Sequence, residues 1–202
     1  DVTYADGADI ITASAGTSNF RAGVNAGNSI QSGGNYNVCI GDEAGTAIST
    51  GDNNSAIGYG ALSTLSTGSS NTAFGYNAMN AHTGLSNTAI GYGTLAASNS
   101  TNNSVAVGHS ALAVSTTGEN VAVGASAMAA SLGGTNNVAV GKGSMAANTT
   151  GNYNVAIGNS AMATSQTVSG ITAIGRNALT AMTNGATYNT AVGFDCLKTS
   201  TA

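Results

Sequence analysis

Proline and tryptophan are absent from this 202-residue chain, and charge is scarce: Asp, Glu, Lys and Arg make up 6% of it, against about a quarter in an ordinary globular protein. Each shortage excludes something. Four basic residues (Arg21, Lys142, Arg176, Lys198) and a net charge of -4 provide no basic footprint for nucleic acid and no polybasic patch for anionic lipid. Apolar runs stay short of the roughly eighteen residues that a membrane-inserting helix requires. Two cysteines, Cys39 and Cys196, are too few for a disulfide framework. They fall in repeats at opposite ends of the array, beyond the Cα separation that a disulfide spans. Neither a signal peptide nor an initiator methionine opens the chain at Asp1, which reads as a fragment or a processed product.

Glycine, alanine, serine, threonine and asparagine fill most positions. Such a composition invites a reading of disorder, but disorder goes with low hydrophobicity and high net charge. Here the apolar fraction is 42%, and its Ala, Val, Ile, Leu and Met recur at fixed positions. The chain is expected to be ordered.

That recurrence is an internal repeat. Copies read N-T-A-F-G-Y-N-A-M from Asn71, N-T-A-I-G-Y-G-T-L from Asn87 and N-V-A-I-G-N-S-A-M from Asn154. Aligned on the central glycine, they place Gly23, Gly41, Gly58, Gly75, Gly91, Gly108, Gly124, Gly141, Gly158, Gly175 and Gly193 in one column. Ten steps cover 170 residues, a mean of seventeen. The one-residue variation falls in a Gly/Ser/Thr/Asn-rich connection, where a loop absorbs it. Repetition runs from about Asn19 to the C-terminus in some eleven repeats, and residues 1–18 read as a lead-in or cap.

The columns have distinct chemistry. Before the glycine stands a β-branched or aromatic residue in every copy after the first (Ile40, Ile57, Phe74, Ile90 and onward), and two before it Ala, with Cys39 an exception. Four after it comes Leu or Met, from Leu62 to Leu197; four before it is usually Asn. The x-A-I-G segment is too short and too β-branched for a helix, and the two-residue period of a strand puts Ile and Ala on opposite faces. The glycine suits a bend or a close backbone approach, and the asparagine suits a left-handed corner before the strand. The fold class is therefore all-β: a parallel β-solenoid of about seventeen residues per coil, each strand pairing with its copies at about 4.8 Å per rung, in a rod roughly 50 Å long. A seventeen-residue coil offers only two large apolar side chains, each worth roughly 1.5–3 kcal/mol when buried, while ordering each residue costs about 1–2 kcal/mol. A second buried interface against identical chains is expected, a homotrimer being the hypothesis, with the small Ala/Gly face approaching the axis.

The motif N-x-A-[IV]-G-x-x-A-[LM] resembles the head repeats of YadA-type trimeric autotransporter adhesins, and also seventeen-residue repeats in the tail fibres of marine bacteriophages. The resemblance covers nearly the whole chain. It implies a trimeric, left-handed parallel β-roll that is extracellular, on a virion or a bacterial surface, and that meets a glycan or protein receptor on a host cell. The lead-in D-V-T-Y-A-D-G-A-D-I-I-T looks more like the phage set, and the autotransporter heads usually have shorter repeats, which favours a fibre segment over an adhesin head.

Candidate sites are few. After the glycine stand Tyr59, Tyr76, Tyr92 and His109 in consecutive coils. Stacked in a solenoid, they either offer an aromatic strip to a sugar ring or simply cover the coil by stacking on one another. Gly108-His109-Ser110-Ala111-Leu112 resembles a nucleophile elbow but ends in Leu112 where the motif needs glycine, and the same columns read Gly158-Asn159-Ser160. Gly141-Lys142-Gly143-Ser144 lacks the spacing of a phosphate loop. His82 and His109 lie in different repeats, which disfavours a metal site. Asp42, Glu43 and Asp52 are read as solvated acids over a calcium loop. The column three before the glycine mixes Val and Thr, against the ladder an ice-binding solenoid needs. Eight acids provide no evident carboxylate pair for a glycan-cleaving fibre. No enzyme activity and no cofactor are expected.

Overall fold

A computed structural model of the chain describes residues 15–98, 101–182 and 187–200. Most of the expected lead-in, residues 1–14, lies outside the described residues; Thr17 and Ser18 already occupy coil positions, Ser18 at φ 55° and Thr17 donating its N–H to Asn35 Oδ1 at 2.8 Å.

Eleven three-residue strands form one parallel sheet: Phe20–Ala22, Val38–Ile40, Ser55–Ile57, Thr72–Phe74, Thr88–Ile90, Val105–Val107, Val121–Val123, Val138–Val140, Val155–Ile157, Thr172–Ile174 and Thr190–Val192. Each pairs with the next in exact column register: Ile57 lies against Phe74, and Phe74 against Ile90. Two short parallel pairs, Val114–Ser115 with Ala130–Ser131 and Ala181–Met182 with Thr199–Ser200, extend the pairing to a second side. No helix occurs among the described residues. The chain is a parallel β-solenoid of about ten turns with seventeen residues per turn.

Corners make the coil close. Naming positions from the glycine, residues at −5, 0, +2 and +4 hold positive φ in coil after coil: Ser70 (61°), Gly75 (140°), Asn77 (52°) and Met79 (52°) form one set. The glycine is required for a further reason, because a Cβ on Gly75 would stand 2.4 Å from the carbonyl oxygen of Gly91 on the next rung. Asn and Ser tolerate the left-handed region at +2. Leu and Met at +4 accept its cost because their side chains are wholly buried, as Leu62, Met79, Leu95 and Met145 show.

Two expectations need correcting. The small column is the inside of the coil, not a face toward a neighbour: Ala56, Ala73, Ala89 and Ala106 are fully buried. The β-branched column points outward, with Ile40, Ile90 and Ile157 more than a third exposed. Alternation along the strand was read correctly, but only a small residue fits inward between the packed walls of so narrow a coil. Nor does the −4 asparagine make the left-handed corner. The residue before it does (Tyr36 at 57°, Asn53 at 58°), and the asparagine side chain turns inward.

There it forms a ladder. Asn71 Oδ1 accepts the backbone N–H of Asn87 at 3.0 Å and its Nδ2–H at 3.2 Å, while Asn71 Nδ2 donates to Asn54 Oδ1 at 3.2 Å and to the Gly84 carbonyl at 3.0 Å. One carboxamide thus ties three rungs together and satisfies backbone groups that the loops leave unpaired. Asn37 and Asn54 make the same bonds, and Asn137 and Asn154 keep the backbone part of the set, each Oδ1 accepting the N–H of the next rung and each Nδ2 donating to a loop carbonyl.

A further interior column, at +7, reads Ile30, Ile48, Leu65, His82, Ser98, Ser115, Ser131, Asn148, Ser165 and Met182. All are buried. In part of the array its size offsets that of +4 in the same coil. Where +4 is Gly45, Ile48 fills the space, its Cδ1 standing 2.9 Å from where a Cβ would lie; Leu95, Leu112, Met128 and Met162 are paired with Ser, whereas Leu62 with Leu65 and Leu179 with Met182 place two large side chains in one coil. Close packing favours such volume exchange.

Replacing Asn71 by Ala strands the buried Asn87 N–H and Gly84 carbonyl, and should cost about 2–4 kcal/mol in urea denaturation. Asn71→Ser should cost less, because Ser104 occupies this column naturally and its Oγ accepts Asn120 N–H at 3.3 Å. Equal stability of Asn71→Ala and the parent chain would show that the amide ladder does not hold the rungs.

Candidate functional site

The column after the glycine faces solvent along the whole rod: Val24, Asp42, Tyr59, Tyr76, Tyr92, His109, Ala125, Lys142, Asn159, Arg176 and Phe194. It sits between the positive-φ glycine and the left-handed +2 corner, so its side chain points away from the core while the rung spacing sets its distance to the next copy. Ring centroids of Tyr59 and Tyr76 are 5.2 Å apart, of Tyr76 and Tyr92 5.2 Å, and of Tyr92 and His109 5.1 Å, the last two pairs within 5° of parallel. These four residues, singled out in the sequence, therefore come together as one stack.

Stacking has a chemical consequence. Such contacts contribute about 0.5–1.5 kcal/mol each beyond burial, and they turn the ring faces toward one another. The tyrosines remain about half exposed (51%, 47% and 55%), and face-to-face stacking leaves ring edge and hydroxyl as the part turned to solvent within the stack. A ligand lying along this strip meets a row of phenolic hydroxyls and CH edges one rung apart, with an outer ring face free only at the ends of the stack. Farther along, Arg176 lies over the Phe194 ring at 5.5 Å, a cation–π contact that aligns it with the column.

The other singled-out residues go elsewhere. Asp42 Oδ1 accepts the Val24 N–H at 2.9 Å, Glu43 Oε1 accepts from Asn25 Nδ2 at 2.8 Å, and Asp52 Oδ1 accepts the Asn35 N–H at 2.7 Å. Each carboxylate serves as a rung-to-rung acceptor, and no group of three metal-ligating side chains is found among the described residues. Ser110 is a left-handed corner, its N–H bonded to the Tyr92 carbonyl. Cys39 replaces Ala inside the coil, where burial pushes its thiol up to about 11 against the opposing charge of Arg21; it and Cys196 are free. A polar cleft of about 320 Å³ opens beside Gly118, where the −6 column lacks the side-chain oxygen that Asn102 and Asn152 supply to their neighbours; Glu119 is its one carboxylate. No family model, no curated protein and no solved structure matches the chain.

His82 is the interior group that sequence reasoning placed least well. Its ring is fully buried at +7, Nδ1 lying 2.8 Å from the Ser98 carbonyl and Nε2 2.9 Å from Asn87 Nδ2. A carbonyl only accepts, so Nδ1 carries the proton; Nε2 then accepts from the amide. Asn87 has no freedom to flip, because its Oδ1 accepts the Ser104 N–H at 2.9 Å. A second proton on Nε2 would face a donor in a dry interior. Burial accordingly holds His82 below its ordinary 6.5, with the Ser98 carbonyl opposing. The unfolded chain takes up that proton first, so this contribution to stability is complete above the unfolded value and is lost as the pH falls below it. The slope is at most about 1.4 kcal/mol per pH unit. Urea midpoints measured from about pH 7.5 down to about pH 5 should fall in the parent chain, and the fall should be smaller in His82→Leu, which borrows the residue of the preceding coil. An unchanged slope in that variant would remove His82 as the cause.

Proposed function

We propose that this chain is a structural and attachment segment of an extracellular fibre: a left-handed solenoid, three copies around one axis, holding or itself forming the surface that meets a host-cell glycan or protein receptor. The phage tail-fibre reading takes precedence over an adhesin head on the repeat length and the lead-in. The observation that carries the proposal is the outward β-branched column. A single chain leaves Ile40, Phe74, Ile90, Ile157 and Ile174 at 37–54% exposure in one continuous row. Apolar rows of this kind mark association surfaces. Parallel packing of identical rods sets each such row against its equivalents and supplies the second core that a thin coil lacks. The trimer contact thus runs through the β-branched column, and the glycine-following column stays free for a receptor. The role is mechanical and adhesive; no catalytic step belongs to it.

Sedimentation equilibrium of the chain should give three copies per particle, and Ile90→Lys with Ile157→Lys should lower that number while the parallel-sheet circular dichroism persists. A monodisperse monomer of the parent chain overturns the trimer. Fluorescently labelled chain should adhere to host cells, and Tyr76→Ala with Tyr92→Ala should reduce adhesion if the strip touches the receptor. Unchanged adhesion moves the contact elsewhere on the rod.

A further inference from the structure

The glycine-following column changes character halfway along, and the change has a period. His109, Lys142 and Arg176 are each two rungs apart, with the smaller neutral residues Ala125 and Asn159 on the rungs between. His109, Lys142 and Arg176 are all exposed. Two of the four Lys and Arg residues in the chain stand in this single column. Neither Lys142 nor Arg176 pairs with a carboxylate among the described residues; the one ion pair is Lys198 with Asp195, at 4.0 Å. Arg176 is held on the column by Phe194, which leaves its guanidinium edge available. At about 4.8 Å per rung, basic or imidazole donors recur every 10 Å or so.

We infer that the strip receives a linear acidic polysaccharide, laid along the rod axis with about one sugar per rung and a carboxylate at every second sugar. This inference rests on the attachment reading and names its ligand class. The fit is one of step and sign. A sugar in an extended β-linked chain advances by nearly one rung, and alternate sugars of such a chain turn the same side to a flat support. Carboxylates borne by every second sugar then meet His109, Lys142 and Arg176 in turn, while Ala125 and Asn159 leave room for the neutral sugars between them. The tyrosine hydroxyls and edges continue the same line for three more rungs. Asp42, one rung before Tyr59, repels a further carboxylate and marks the end of the strip. From Tyr59 to Arg176 the line covers eight rungs and seven spacings, about 34 Å, enough for roughly eight sugars.

Binding of the full chain to hyaluronan oligosaccharides about eight sugars long, which carry one carboxylate per disaccharide, is compared with binding to neutral β-1,4-linked glucose oligomers by titration calorimetry or biolayer interferometry. Hyaluronan should bind more tightly and weaken with added salt. Lys142→Ala and Arg176→Ala should each reduce its affinity about three- to fivefold, the worth of a partly exposed charge pair. The deciding variant exchanges two residues, Lys142→Asn with Asn159→Lys, which keeps composition and net charge but moves one cation by a rung. Affinity for hyaluronan should fall as in Lys142→Ala. If the exchange leaves affinity unchanged, the two-rung register is wrong. Equal binding of the neutral oligomer, insensitive to Lys142→Ala and Arg176→Ala but lost on Tyr76→Ala with Tyr92→Ala, overturns the acidic ligand and leaves attachment standing. Binding of neither probe also overturns it, and host-cell adhesion of the same preparation then decides the attachment reading independently. Melting temperatures matching the parent chain confirm that the Lys142, Arg176 and Asn159 variants report binding and not folding, whereas binding by Tyr76→Ala with Tyr92→Ala, which also loses ring stacking, is measured well below its own melting temperature.

Discussion

A carboxamide sealed inside a coil must find partners for two N–H bonds and a carbonyl, and in this protein the carbonyl finds its partners on the adjacent rung, while the N–H bonds reach a neighbouring rung as well as the local loop. The asparagine ladder from Asn19 to Asn87, and again from Asn120 to Asn154, therefore fixes the register more strictly than apolar packing can. Hydrophobic contacts tolerate a slip between similar surfaces, whereas a displaced amide leaves two rungs with buried orphan groups. Once asparagine lies over asparagine, the remaining columns follow. Glycine lies over glycine at a separation that admits no Cβ, alanine over alanine inside, and the β-branched residues over one another outside. Ser104 and Ile171 interrupt the ladder, yet each still donates its backbone N–H to the asparagine oxygen of the preceding rung, so the interruptions cost one amide without losing alignment.

Much of this was legible because repetition converts a sequence into an alignment with itself. The glycine column, the strand before it, the recurrence of Leu or Met at +4 and the stacking of Tyr59, Tyr76 and Tyr92 all follow from identity at fixed intervals. What was missed shares one cause: side chains there do not keep a constant identity or a familiar role. The +7 column reads Ile48, Leu65, His82, Ser98 in succession and looks like loop, although every member is buried. Part of its logic lies in the partner column, since Gly45 is paired with Ile48 and Leu95 with Ser98. The direction of the alanine and asparagine side chains was likewise out of reach. Period two separates faces but does not say which is inside, and asparagine is known for corners more than for cores.

The same architecture explains where variation is permitted. Interior and corner positions are bound by sterics or by hydrogen bonds to the rungs on either side. The glycine-following side chain points to solvent and meets no packed wall, so the position holds Asp42, Tyr76, Ala125, Lys142 and Phe194 while its backbone keeps the same bonds to the next rung. A surface of that kind can be rewritten rung by rung while the scaffold stays constant.

The sameness of successive rungs carries a genetic implication. Because each turn offers its neighbours the same strand and the same glycine column, a turn can be deleted or duplicated by unequal exchange between similar stretches of DNA with the rung-to-rung pairing re-formed at the new junction. Rod length then becomes an adjustable trait, altered in increments of one turn with the fold untouched.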